Sequence, residues 1–256
     1  MNNRMLLFDV DGTLLSSDNS LSPITLYFIN ICKSKGYLIG ILTARSRSKK
    51  NLCLLEKLPY DFIAFYNGAK IYVKDYLVEN NVLPFKETFS MLQKLDNDFP
   101  GIVIDIHQEP WNFSNTCGEI YHMWTNNKKV CTLNKLPKYD IQRIRLKSEM
   151  LITIPFQNYL VYQSKLYYTR YNDAIIVHKK ANKGYATKKA AKIFDIPLSQ
   201  VIAFGDDVTD IDMLKIVGTS VAMGNAIPIL KKASKYVTET NDKDGVALWI
   251  KEHLLR

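Results

Sequence analysis

Two short stretches of this 256-residue chain concentrate carboxylates: Asp9-Val10-Asp11-Gly12 and Gly205-Asp206-Asp207-Val208-Thr209-Asp210. Asp9 and Asp11 are two apart, so on an extended chain both side chains face the same way, and Gly12 lets a ligand approach the backbone closely. Each stretch follows an apolar run, Met5–Phe8 and Val201–Phe204, the pattern of a buried strand stopped by a turn. Two more apolar runs end in polar residues, Tyr37–Leu42 in Thr43-Ala44-Arg45 and Phe62–Phe65 in Asn67-Gly68. Bringing Asp206 to Asp9 and Asp11 would crowd three carboxylates. Two like charges about 4 Å apart repel by about 4 kcal/mol at an effective dielectric of about 20, so the cluster requires a proton or a cation. Oxygen-only ligands at an accessible strand edge favour Mg²⁺, which keeps several waters and accepts a substrate phosphate oxygen. Each piece also has a structural reading. Asp9-x-Asp11 could be a capping turn, Thr43 a helix N-cap, Arg45 the start of a basic helix, Lys183 a solvated lysine and Asn225 part of a turn; Asp207 and Asp212 read as exposed or capping.

The elements that must hold these residues follow from periodicity. Ser22-Pro23 is an N-cap followed by proline, opening a helix with Ile24, Phe28 and Ile31 on one face and Gly36 after it. A basic helix is expected after Thr43, then the strand Phe62–Phe65. The same rhythm returns late in the chain. A helix over Gly184–Phe194, the strand Val201–Phe204, a helix through Met213 and Ile216, a strand over Ser220–Met223, a helix after Pro228 and a last one over Gly245–Leu255 complete it. Alternating strands and helices predict a parallel sheet, whose ligands bind beyond the carboxyl ends of the strands at the switch point. Between these halves the pattern changes. Ile102, Ile104 and Ile106 alternate with other residues, Leu151–Ile154 and Lys165–Tyr171 read as strands, and Ala174–Val177 follows the turn Asn172-Asp173. Helical spacing is expected at Phe85, Phe89, Leu92 and Leu95, and again around Ile141 and Ile144. The predicted class is α/β: a Rossmann-like parallel-sheet core over residues 1–78 and 179–256, with an inserted α+β domain at 79–178.

Asp9-Val10-Asp11-Gly12-Thr13-Leu14 after an apolar strand resembles the nucleophile motif of the haloacid dehalogenase superfamily. Matches to its other motifs follow in order: Thr43 at the second strand end, Lys183 in Asn182-Lys183-Gly184, and Gly205 to Asp210. Val221-Ala222-Met223-Gly224-Asn225-Ala226 and Asp244-Gly245-Val246 resemble its Cof-type branch, whose α/β cap lies where the insertion is expected. The resemblance implies that Asp9 attacks phosphorus and that Asp11 acts as acid and then base. It implies Mg²⁺ on Asp9, Asp206 and the backbone carbonyl of Asp11, with Asp210 completing the acidic shell or anchoring Lys183. Thr43, Ala44, Arg45 and Lys183 would bind the substrate, Thr43 and Lys183 through phosphate oxygens. Thr209 stands where many Cof-type proteins have Asn, and Gly-Asp-Asp-x-Thr-Asp is similar to trehalose-phosphate phosphatases.

The expected activity is a Mg²⁺-dependent phosphatase acting on a sugar phosphate or another small phosphorylated metabolite. A phosphomutase, a trehalose-phosphate phosphatase-like enzyme and a non-enzymatic phosphate sensor or nucleic-acid binder are the rivals. Formal charge is +9, which makes acidic partners conceivable. Basic residues exceed acidic ones by four in 1–78, by one in 79–178 and by four in 179–256. The densest basic run, Arg45–Lys50, lacks interleaved aromatics and reads as a solvated helix face, so no nucleic-acid partner is expected. No apolar run is long enough for a membrane span, and the N-terminus reads as a strand rather than a signal peptide, so a cytoplasmic protein without a membrane partner is expected, as a monomer or weak homodimer. Cys32, Cys53, Cys117 and Cys131 have neither disulfide-framework nor zinc spacing. In the insertion, Trp111, Asn112, Phe113, Tyr121, His122, Trp124 and Asn126 would suit a sugar ring or form the core of a small domain.

Overall fold

In the computed structural model, residues 4–109, 111–115, 128–149, 155–156, 164–168 and 173–255 are described. They form two compact units, Met1–Glu79 with Asn182–Arg256, and Asn80–Ala181.

The first unit is built on strands β1 (Met5–Phe8), β2 (Leu38–Leu42), β3 (Phe62–Phe65), β4 (Lys70–Val73) and β5 (Tyr76–Asn80), to which the C-terminal segment adds three strands described below. Every residue of β1 and β3 is buried, which is why these runs are apolar throughout instead of alternating. Helix α1 (Pro23–Ser34) begins as its sequence dictates: the Ser22 side chain accepts from the Ile24 N–H and Pro23 occupies the first helical position. The basic run departs from expectation. Helix α2 (Lys49–Leu55) starts only at Lys49, capped by Ser48, while Arg45 and Ser46 are buried ahead of it. Thr43 therefore caps no helix; its Oγ1 accepts from the Arg45 N–H at 3.0 Å within a local turn.

The inserted unit contains α3 (Phe85–Asp98), β6 (Val103–Gln108), β7 (Trp111–Ser114), β8 (Lys128–Val130), β9 (Arg143–Lys147), β10 (Ser164–Tyr168) and β11 (Ala174–His178). Its sheet runs β10-β11-β9-β6-β7-β8, antiparallel except for β7 with β8. One sheet face places Ile104, Ile106, Ile144, Leu146 and Ile176 in a core with Met91, Leu92 and Leu95 of α3. The expected helix around Ile141 and Ile144 is instead strand β9. There Ile144 and Leu146 are buried while Arg143, Arg145 and Lys147 alternate with them, a period of two that the helical reading overlooked. The strand expected at Leu151–Ile154 and the aromatic and amide residues Tyr121, His122, Trp124 and Asn126 lie outside the described residues.

The C-terminal segment supplies α4 (Lys183–Ile193), β12 (Val201–Gly205), α5 (Ile211–Leu214), β13 (Thr219–Ala222), α6 (Pro228–Ala233), β14 (Tyr236–Val237) and α7 (Gly245–Leu254). The complete sheet of the first unit has the order β14-β13-β12-β1-β2-β3-β4-β5, parallel from β14 to β3 and antiparallel at β4. From β1 the chain steps outward through β2 and β3, and from β12 it steps the opposite way through β13 and β14. The switch point thus falls between β1 and β12, where a parallel sheet leaves a crevice beyond its strand ends. Phe8 and Phe204 stack at 5.1 Å between ring centroids beneath it, and Trp249 of α7 meets Phe204 edge-on at 5.3 Å.

Candidate active site

Asp9 is the first residue after β1 and Asp206 the first after β12, so the switch point brings them together; the Asp9 N–H donates to the Phe204 carbonyl across it. Helix α4 contributes Lys183 at its first position, oriented by the Asn182 N-cap, whose side chain accepts from the Tyr185 N–H at 2.7 Å. The Lys183 Nζ donates to Asp9 Oδ1 at 2.5 Å and to Asp210 Oδ1 at 2.6 Å. Asp210 is itself fixed: its Oδ2 accepts from the N–H groups of Asp206 and Asp207, and Asp207 caps the short turn Val208–Asp210. Thr13 Oγ1 donates to Asp206 Oδ1 at 3.2 Å. Gly12 has φ +78, and a Cβ there would lie 2.4 Å from Asp206 Oδ2. Gly205 is equally confined, since a Cβ would meet Asp210 Cβ and Cγ at 2.6 Å.

Asp9, Asp206 and Asp210 are all buried, and each offers an oxygen within 4.8 Å of the others'. At that separation each pair of charges repels by about 3.5 kcal/mol at an effective dielectric of about 20. Burial pushes the Asp9 carboxyl well above the usual carboxylate range; the Lys183 ammonium opposes this, and Asp210, Asp206 and Asp11 add to it. Burial also disfavours the charge on Lys183, but Asp210 and then Asp9 outweigh it and raise that amine above its ordinary value. One ammonium facing three carboxylates leaves negative charge in excess, and the oxygen-only donor set fits a hard divalent cation.

Asp11 does not share that cluster. The chain leaves the extended conformation after Phe8, so the two-residue alternation that would aim Asp9 and Asp11 alike does not apply. Instead the Arg45 fork holds Asp11: Nη2 donates to Oδ1 at 2.6 Å and Nε to Oδ2 at 2.9 Å. Asn51 and Asn19 accept from the same guanidinium. Arg45 is thus buried with its guanidinium bonded to three residues, whereas the run Arg45–Lys50 was expected to be a solvated helix face. Thr43 is fully buried at the end of β2, Ala44 half-buried beside it, and Thr209 half-buried in its turn. Asn225 ties the loops together, its Nδ2 donating to the Gly12 carbonyl and its Oδ1 accepting from the Asn241 N–H.

Residues 6–250 match the sequence profile of the haloacid dehalogenase-like hydrolases. The chain belongs to that family. It is 26% identical over 272 residues to the 5-amino-6-(5-phospho-D-ribitylamino)uracil phosphatase YitU of Bacillus subtilis, covering 97% of both chains. A putative phosphatase of Haemophilus influenzae is 28% identical over 265 residues, with 95% of each covered. Among solved structures, a haloalkanoate-superfamily phosphatase from Bacteroides thetaiotaomicron superposes with a TM-score of 0.85 at 23% identity, covering 98% of this chain and 94% of the other. The subclass IIB sugar phosphatase BT4131 gives 0.80 at 22% identity, with 98% of each chain covered. The two solved structures share the fold of this haloacid dehalogenase-like hydrolase. The Cof-type assignment, the Rossmann-like α/β class and the expectation of a phosphoric monoester hydrolase stand on these matches.

In this hydrolase the sequence-predicted residues Asp9, Lys183, Asp206 and Asp210 converge, while Asp11 and Arg45 pair beside them. Sequence reasoning missed Asn51, Asn19 and Thr13 as partners. Thr13 was within reach, because it lies in the nucleophile hexapeptide; Asn19 and Asn51 carry no motif and are placed only by the loops around β1 and α2. Among the described residues, no helix is long and apolar enough to cross a membrane.

Proposed function

We propose that this hydrolase cleaves a small phosphomonoester, a sugar or sugar-alcohol phosphate, through an aspartyl-phosphate on Asp9 with Mg²⁺ as cofactor. The observation that carries the reading is the buried cluster of Asp9, Asp206 and Asp210 at the sheet's switch point, with Lys183 paired to Asp9 and Asp210. Asp9 forms a bond to phosphorus as the bond from phosphorus to the substrate oxygen breaks, and Asp11 supplies the proton to that leaving oxygen. Water then attacks the aspartyl-phosphate, Asp11 takes its proton, and inorganic phosphate departs. Asp9, Asp206 and the backbone carbonyl of Asp11 would hold Mg²⁺, which offsets the negative charge gathered at phosphorus. Because both oxygens of Asp210 are engaged by Lys183 and two backbone N–H groups, Asp210 acts as the anchor of Lys183. Thr43 and Lys183 bind the phosphate oxygens. Arg45, paired with Asp11, is the cation for which the substrate's phosphoryl group competes, so its binding frees Asp11 for proton transfer. Residues 79–178 would act as the cap. The thiols of Cys32, Cys53 and Cys131 are free, which suits the reducing cytoplasm where such metabolites occur.

Phosphate release from hexose, pentose, ribitol, trehalose and nucleotide monophosphates tests the reading. Turnover that chelation abolishes, that Mg²⁺ restores and that Asp9→Asn lacks is expected. Salt-sensitive nucleic-acid binding without turnover, or full activity in Asp9→Asn, would overturn it. A requirement for a bisphosphorylated activator would identify a mutase instead.

A further inference from the structure

We propose that Asn67 is a positioning residue that sets the spacing between Thr43 and Lys183, the two groups assigned above to the phosphate oxygens; the inference rests on that assignment. Tyr66, Asn67 and Gly68 form a turn directly after β3, and all three have positive φ, 51°, 58° and 107°. Three left-handed residues in succession are unfavourable for L side chains and persist where the surroundings demand them. Those demands come from both sides of the site. The Tyr66 N–H donates to the Arg45 carbonyl at 3.0 Å, and the Asn67 N–H donates to the Thr43 carbonyl at 2.8 Å. On its other side the turn seats against the start of α4. A Cβ on Gly68 would lie 3.0 Å from the Asn182 carbonyl oxygen and 3.3 Å from Ala186 Cβ. Asn182 is the N-cap that precedes Lys183. One rigid turn therefore bonds to the strand end carrying Thr43 and packs on the helix end carrying Lys183.

The Asn67 side chain separates backbone from side-chain roles. It is buried, 1% exposed, and neither Oδ1 nor Nδ2 has a hydrogen-bond partner among the described residues. An amide buried without partners contributes no bond that would retain it. Asparagine tolerates the left-handed region better than other residues with a side chain, so what the position uses is the backbone conformation.

The test compares wild type, Asn67→Gly and Asn67→Ala for kcat and KM on a turned-over monophosphate, for inhibition by inorganic phosphate, and for thermal midpoint. Glycine keeps the conformation and removes the amide, so kcat/KM and phosphate inhibition within about twofold of wild type are expected, with a midpoint no lower. Alanine keeps the strain without asparagine's tolerance, and a turn displaced by it should weaken phosphate inhibition and kcat/KM by about tenfold in the folded protein. A purely structural role would lower the midpoint and leave phosphate inhibition of the folded protein unchanged. Loss in Asn67→Gly would assign the function to the amide and overturn the proposal, as would wild-type phosphate inhibition in Asn67→Ala. Should Asn67→Ala not fold, Asn67→Ser takes its place in the same comparison: weakened phosphate inhibition in the folded protein is expected, and wild-type inhibition would overturn the proposal. A wild type that releases no phosphate from any substrate refutes the phosphatase reading itself, whereas an active wild type with indifferent Asn67→Ala refutes only this inference.

Discussion

Replacing Asp210 by Asn separates the two things this carboxylate does, and the structure gives the size of each. Asp210 attracts Lys183 at 2.6 Å, about 6 kcal/mol at an effective dielectric of about 20. It also repels Asp9 and Asp206, each with an oxygen within 4.8 Å, by at least about 3.5 kcal/mol apiece. These opposed terms nearly cancel, so without metal the Asn variant should lose chiefly the charge-assisted bonds from the Asp206 and Asp207 N–H groups, about 2 kcal/mol. That corresponds to a thermal midpoint about 4–8 °C lower in EDTA. Wild type saturated with Mg²⁺ at 100 times its dissociation constant gains about 2.7 kcal/mol, and the variant, with one carboxylate fewer in the cluster, gains less. Activity responds differently. Lys183 loses one of its two anchors, and kcat/KM should fall about 100-fold. The measurements are thermal unfolding in EDTA and in Mg²⁺, with phosphate release alongside. Destabilisation above about 4 kcal/mol in EDTA would show that Lys183 outweighs the carboxylate repulsion and would refute the claim of excess negative charge.

Gly12→Ala should cost at least about 3 kcal/mol or eliminate Mg²⁺ stabilisation, because the new Cβ would lie 2.4 Å from Asp206 Oδ2 on a backbone at φ +78; urea unfolding with and without Mg²⁺ reads it, and wild-type behaviour would contradict the close approach. Arg45→Lys loses the two-pronged hold on Asp11 and should lower kcat/KM about 10- to 100-fold, with little change if the fork has no part in turnover. The His107 imidazole of β6 is held well below its ordinary 6.5, by burial first and then by Arg143 and Arg145. Below about pH 6.5 the unfolded chain binds a proton that the folded one does not, so stability is full above that pH and falls by about 1.4 kcal/mol per unit below it. His107→Gln should flatten that slope in urea midpoints measured between pH 7.5 and 5.5; an equally steep slope in the variant would locate the titration elsewhere.

Local sequence carried much of this molecule. Apolar runs such as Met5–Phe8 and Phe62–Phe65 are strands because a sheet buried on both faces needs uninterrupted hydrophobic residues, and Ser22-Pro23 starts a helix through bonds that span two residues. The alternation of strand and helix, with Asp9 and Asp206 each following a strand, was enough to predict where the acidic residues gather. What failed was local reasoning about direction. Asp9 and Asp11 look equivalent in sequence, yet the chain turns after Phe8, and one carboxylate meets Lys183, 174 positions away, while the other meets Arg45. The basic run from Arg45 to Lys50 reads as a solvated face because nothing nearby in the chain neutralises it; only the folded loops bring Asp11, Asn19 and Asn51 to that guanidinium. Residue type and spacing determine which groups are able to do chemistry, since they act over a few bonds. Which of those groups become partners is decided by the tertiary structure, because burial and opposite charge select among residues that the sequence places far apart.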